Sequence, residues 1–170
     1  MTRINERYEL GKGLAVGGQG LLREAKRIED GLEVVIKRYS QMEDEDSTLD
    51  SWKEGEVGFA RETSFLQRAN RDNVKGVPYL LEHGILDDGW EQPYAVFKKI
   101  PGKTLSEKIS EESYNPSLDN LEWITKSVVD VLQYAHHSNG TKPVVHRDIS
   151  PENILVNGDS VVLMDWATST

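Results

Sequence analysis

Val144-Val145-His146-Arg147-Asp148-Ile149-Ser150-Pro151-Glu152-Asn153, continued by Ile154 to Asp165, is the stretch on which the fold turns. Ile154-Leu155-Val156 is a short, largely β-branched run, and Val161-Val162-Leu163-Met164 is a second. Asn157-Gly158-Asp159-Ser160 between them is turn chemistry, Asn-Gly being suited to positive φ. Together they predict a tight β-hairpin in which Val156 faces Val161 and Ile154 faces Leu163. The open end of that hairpin brings Asn153 close to Met164 and Asp165. Asp148 lies five residues before Asn153, on the loop entering the hairpin. An aspartate after a strand usually caps a turn or faces water. One amide oxygen and two carboxylates at one mouth suit a hard cation such as magnesium.

The bulk properties bound the function. The chain has 170 residues, enough for one ordinary domain or two small lobes. Hydrophobic residues make up 37% and charged residues 29%, a globular balance. The net charge of −9 disfavours a nucleic-acid partner. No apolar run is long enough to span a membrane, and the first residues lack the apolar core of a signal peptide. There is no cysteine, hence no disulfide framework, thiolate metal site or cysteine nucleophile. A cytoplasmic location is the expectation that fits.

Upstream, Arg7 to Val16 reads as a strand interrupted by Gly11 and Gly13. Gly17-Gly18-Gln19-Gly20 follows, a turn whose bare N–H groups could approach phosphate oxygens, or simply a glycine-rich hairpin turn. Leu32 to Tyr39 is a strand after an Asp30-Gly31 turn. Residues 43–50 form an acidic, polar loop. A helix is predicted from about Glu54 to Asn70, with Phe59, Glu62, Leu66 and Ala69 on one stripe. Glu62 thus sits among apolar neighbours, where an unpaired carboxylate is costly, and it needs a cation. Strands over 77–84 and 94–99 flank a turn at Asp87-Asp88-Gly89. Pro116 to about Ser138 is the clearest helix, capped by Ser117 or Asn115 and ended by Asn139-Gly140. Its stripe is Leu121, Ile124, Val128, Val131, Leu132 and Ala135. His136 and His137 read as helix-end groups rather than metal ligands, because adjacent helix residues do not share a face.

The string H-R-D-x-x-x-x-N at 146–153, followed by an apolar hairpin and Asp165, closely resembles the catalytic signature of protein kinases. Nearly the whole chain follows that family's order of parts. The resemblance implies an α+β, bilobal fold. Residues 1–100 would be a complete small lobe, an antiparallel sheet with one helix, and residues 101–170 part of a helical large lobe. It implies ATP and Mg²⁺ as cofactors and a protein as substrate. Asp148 would accept or orient the hydroxyl proton, and Asn153 and Asp165 would hold the metal. Val34-Val35-Ile36-Lys37 resembles the V-A-I-K strand, so Lys37, oriented by Glu62, would anchor the phosphates. Ala15, Gly17, Gly18, Gly20 and Leu22 would form the nucleotide-covering loop. Val35, Phe97 at the gatekeeper position, Lys98 and Ile100 in the hinge, Asn153 and Leu155 would complete the nucleotide-binding set.

The departures from the family pattern bear on function. Ala15 replaces the first glycine, and Lys98 the usual acidic hinge residue. Ser150 stands where serine/threonine kinases carry a lysine that touches the γ-phosphate. Asp165-Trp166-Ala167 replaces D-F-G, and alanine is more restricted than glycine, which disfavours an inactive flip of this segment. Arg147 favours the protein-kinase branch over small-molecule phosphotransferases. In the family Arg147 would pair with a phosphorylated activation loop, and the sequence stops at Thr170, before such a loop. The expectation is therefore a fragment or incomplete catalytic domain. Alternatives are a nucleotide-binding regulatory or pseudokinase module, or half of a split kinase. With the stripe of the long helix left uncovered, self-association or a second chain completing the large lobe is expected.

Overall fold

The computed structural model describes residues 3–17, 20–39, 49–86, 92–137, 142–158 and 160–170. The chain divides into two compact units, Met1–Ser64 with Tyr79–Lys99, and Phe65–Pro78 with Ile100–Thr170.

The first unit is built on a six-stranded antiparallel sheet. Its strands are β1 (Arg3–Ile4), β2 (Tyr8–Gly17), β3 (Gly20–Arg27), β4 (Glu33–Arg38), β5 (Leu80–Leu86) and β6 (Gln92–Lys98). Their order in the sheet is β1-β2-β3-β4-β6-β5. Helix α1 (Leu49–Arg71) follows β4, and its residues up to Ser64 belong to this unit. Alternation along β-branched strands fixes the faces: Val34 and Ile36 of β4 are buried with Ala25, Tyr94 and Val96 in one core. Tyr8 on β2 and Tyr94 on β6 donate their hydroxyls to the two oxygens of Glu82 on β5, at 2.9 and 2.8 Å. Arg7 pairs with the same carboxylate at 2.8 Å. β2 and β5 are far apart in the sheet order, so the sheet curls to bring these side chains together. Burial, and then the bond to Glu82, push the Tyr94 hydroxyl up to about 12 and raise that of Tyr8.

The predicted Asp30-Gly31 turn is present. Gly31 has φ +73°, and Asp30 accepts from Arg27 and from the Leu32 N–H. Gly20 opens β3 with φ +133°, and a Cβ there would lie 1.9 Å from the Arg38 carbonyl oxygen. Only glycine fits that approach of two strands. Gly18, the acidic stretch and the Asp87-Asp88-Gly89 turn lie outside the described residues, except that Leu49 and Asp50 already open α1.

The second unit contains β7 (Lys103–Thr104), α2 (Leu105–Ile109), α3 (Leu118–His137), β8 (Ile154–Asn157) and β9 (Ser160–Leu163). β8 and β9 pair as expected, Ile154 with Leu163 and Val156 with Val161, and Asn157 also pairs with Ser160. β7 joins the hairpin on the β8 side. The short helix α2 was not anticipated. It starts at a capping box in which Thr104 and Glu107 satisfy each other's backbone N–H groups. Ser117 caps α3, its Oγ accepting from Asn120 N–H at 3.2 Å.

One expectation about α3 is corrected. Of the six stripe residues, Ile124, Val128, Val131 and Ala135 are buried and Leu132 is half-buried, so Leu121 alone is exposed. β9 packs against α3, and the Gly76 carbonyl accepts from Leu163 N–H, drawing the 72–78 loop in beside them. A Cβ on Gly76 would lie 2.7 Å from Val131 Cγ2, which shows how closely loop and helix approach. The α+β expectation holds: a small-lobe antiparallel sheet with a helix, then a partly helical region carrying the hairpin.

Candidate active site

In the first unit, strand register assembles a row of expected site residues. Ala15 pairs with Leu22, Leu22 with Lys37, and Lys37 with Ala95. Val35 pairs with Phe97. Directly opposed residues share a sheet face, and Val35 and Lys37 are two apart, so Leu22, Val35, Lys37 and Phe97 belong to one face. The residues between them in β4, Val34 and Ile36, supply the core on the other face.

Lys37 and Glu62 are both almost wholly buried, 3% and 2% exposed. Lys37 Nζ donates to Glu62 Oε2 at 2.8 Å. Glu62 lies on the helical stripe that also carries Leu66 and Ala69, both fully buried. Arg61, one residue earlier, is exposed. Two charges out of water are tolerated only when paired and hydrogen-bonded; removal of either partner strands the other.

The second unit carries the loop and hairpin residues. His146 is 1% exposed and organises the loop. Its Nε2 lies 2.8 Å from the Met164 carbonyl, which can only accept, so Nε2 carries the hydrogen. Nδ1 then accepts from the Asp148 N–H at 3.3 Å. Asn153 closes the loop from the other side. Its Nδ2 donates to the Asp148 carbonyl at 3.0 Å and to Asp148 Oδ2 at 2.9 Å. Both amide hydrogens are thus directed at Asp148, and the remaining polar atom of Asn153 is the acceptor Oδ1. Met164 N–H donates to the Asn153 carbonyl at 2.8 Å, which is the predicted closure of the hairpin's open end.

Asp165 follows with φ +59°, and Arg147 has φ +72°, both in the left-handed region. Aspartate tolerates that region better than most side chains, whereas for arginine it is strain held by the surrounding loop. Trp166 is fully buried and stacks on Phe65 of α1 at 3.9 Å, with His146 edge-on at 4.4 Å.

The donor set fits Mg²⁺: an amide oxygen and a carboxylate are hard ligands, and such an ion normally completes its shell with phosphate and water. Among the described residues no three His, Asp or Glu side chains form a ready-made metal cluster. An ion held by Asn153 Oδ1 and Asp165 would take its remaining ligands from phosphate oxygens and water. In the hinge segment, Lys98 N–H donates to the Tyr79 carbonyl and Lys99 N–H to the Glu33 carbonyl. Leu155 is half-buried in β8. The backbones of Ala15 and Gly17 pair with those of Leu22 and Gly20 in the β2–β3 ladder.

Three residues were not singled out from sequence as parts of the site: His146, Trp166 and Tyr39. For His146 the local hint of burial is its place directly after the apolar pair Val144-Val145. The Tyr39 hydroxyl donates to Glu62 Oε2 at 2.7 Å, and only the tyrosine's place two residues after Lys37, on the same strand face, could have signalled it.

No helix among the described residues is long and apolar enough to cross a membrane. The chain is similar to the DNA damage response protein kinase of Saccharomyces cerevisiae, 30% identical over 154 residues, covering 89% of this chain and 27% of that protein. A probable serine/threonine-protein kinase of Corynebacterium efficiens is 30% identical over 173 residues, covering 96% of this chain and 23% of its own length. A probable myosin light chain kinase of Dictyostelium discoideum is 25% identical over 158 residues, covering 93% and 36%. The chain thus spans about a quarter to a third of the length of these relatives. Residues 8–170 match the protein kinase domain, so this chain belongs to the protein kinase family.

Proposed function

We propose that the chain takes part in ATP-dependent transfer of the γ-phosphoryl group to a serine or threonine hydroxyl of a protein. The relatives named as serine/threonine-protein kinases support that acceptor class. The observation that carries the reading is the Asn153–Asp148 clamp, which fixes a carboxylate by its own backbone and side chain. In the transfer, the acceptor oxygen forms a bond to the γ-phosphorus while the bond from phosphorus to the ADP oxygen breaks. Asp148 orients the hydroxyl and takes its proton. Lys37, held by Glu62, binds phosphate oxygens. Asn153 Oδ1 and Asp165 are the ligands for Mg²⁺, whose charge neutralises the phosphates. Because the Lys98 and Lys99 N–H groups are already committed, we assign the Ile100 N–H to the adenine edge. A cytoplasmic setting, where ATP and Mg²⁺ are at hand, belongs to the same proposal. So does self-association or a second chain at the exposed Leu118, Leu121 and Val129 of α3, which light scattering would detect.

Calorimetry and a radiolabelled transfer assay test the roles separately. Asp165→Ala should weaken MgATP more than metal-free ATP; equal losses would refute the metal role. Asp148→Asn should leave MgATP affinity near wild type while turnover falls. Full activity in that variant would refute the mechanism. Tight MgATP binding by the unaltered chain with no transfer to any protein would instead mark a regulatory nucleotide-binding module.

A further inference from the structure

We propose that Tyr39 is a positioning residue for the nucleotide phosphates, acting through the Lys37–Glu62 pair. This rests on the ATP-binding reading above. Tyr39 directly follows β4 and is held in the sheet by its N–H, which donates to the Pro93 carbonyl at 3.0 Å. It is 2% exposed. Lys37 and Tyr39 are two residues apart and project to the same side. Tyr39 touches both members of the pair. Its hydroxyl donates to Glu62 Oε2 at 2.7 Å, the same oxygen that Lys37 reaches at 2.8 Å. Its ring centroid lies 4.9 Å from Lys37 Nζ, within the range of a cation–π contact. Phe59 of α1 packs edge-on to that ring at 5.3 Å and fixes its plane.

A phenylalanine would fill the same volume and keep the contacts to Lys37 and Phe59. The hydroxyl therefore has a purpose other than packing. It is a second donor to a buried carboxylate, and donors to a charged acceptor in a low-dielectric interior are strong. Two effects follow. Glu62 is held towards β4 from two sides, so Lys37 keeps its orientation before a nucleotide arrives. The hydroxyl also takes up part of the Glu62 negative charge, which leaves more of the Lys37 positive charge to attract phosphate.

The test uses the full chain and compares MgATP with adenosine, which lacks phosphates. Tyr39→Phe should weaken MgATP about tenfold, the scale of one hydrogen bond to a charged group, and leave adenosine affinity unchanged. Tyr39→Phe added to Glu62→Ala should cause no further loss, because the proposed route runs through Glu62. Unchanged MgATP affinity in Tyr39→Phe overturns the proposal alone. Equal losses for MgATP and adenosine overturn it in favour of a purely structural tyrosine. Additive losses in the double variant overturn the route through Glu62. An unaltered chain that binds neither ligand overturns the ATP reading and this inference together.

Discussion

Trp166→Phe restores the residue type that the family pattern carries at this position, yet the structure says that it destabilises this chain. Trp166 is 0% exposed and lies between Phe65 and His146. Its indole Nε1–H donates to the Leu163 carbonyl at 3.0 Å, inside the fold. Phenylalanine can keep the stack on Phe65 but has no N–H. Leu163 is itself 1% exposed, so no water replaces the lost donor. A buried acceptor left without its donor costs about 1–3 kcal/mol. Phenylalanine also buries two fewer ring carbons, at about 0.8 kcal/mol for each buried carbon group. The sum is about 2.6–4.6 kcal/mol, a large part of an ordinary stability of about 5–15 kcal/mol. Urea denaturation followed by far-UV circular dichroism reads this as a lower midpoint with an unchanged slope. Trp166→Ala should lie further in the same direction, since emptying a buried aromatic site costs about 3–5 kcal/mol. A Trp166→Phe midpoint equal to or above wild type would refute the reasoning. It would mean that neither the indole hydrogen bond nor its extra burial contributes.

Gly20→Ala should abolish correct pairing of β3 with β4, because its Cβ would lie 1.9 Å from the Arg38 oxygen at φ +133°; a fold as stable as wild type in thermal melting would contradict that geometry. Asp30 is held down to about 2 from 3.8 by Arg27 and then by the Leu32 N–H. A depressed carboxylate stabilises the fold above 3.8 and loses that effect as pH falls through about 2, so Asp30→Asn should flatten the acid limb of a stability profile between these values. The group is exposed, so the change is small, and an identical acid limb in both proteins would rule it out. Ser117→Ala removes the α3 cap and should cost about 0.5–2 kcal/mol, read from the same urea titration.

Local chemistry made much of this legible. Asn157-Gly158 and the alternation of β-branched residues set the β8–β9 register, which the structure reproduces pair by pair. The spacing of Glu62 on an apolar stripe predicted a buried carboxylate that required a cation, and Lys37 is that cation. Side-chain partners contributed by residues that carry no motif were not legible. The Tyr39 hydroxyl and the Glu82 cluster each join residues distant in sequence, and nothing local marks their partners. The burial of the α3 stripe was not legible either. Its cover comes from β9 and from a loop that Gly76 brings close, a long-range approach that periodicity along one helix does not encode.

The placement of Asp165 follows from its neighbours more than from its own side chain. A non-glycine residue at φ +59° sits in a region that costs about 1–2 kcal/mol relative to ordinary backbone. Such a conformation persists only where the surroundings over-determine it. Met164 before it is fixed twice, its N–H on the Asn153 carbonyl and its carbonyl on His146 Nε2. Trp166 and Ala167 after it are 0% and 4% exposed, and Thr168 Oγ1 donates to the His146 carbonyl at 2.9 Å. Thr170 and Val145 exchange both backbone hydrogen bonds, at 3.0 and 3.1 Å, so Thr170 is tied to the residue directly before His146. His146 is therefore common to both sides: through Nδ1 it steadies the backbone of Asp148, and through Nε2 that of the residue before Asp165. A change at His146 should disturb the proposed base and the proposed metal ligand together, although its ring belongs to neither role.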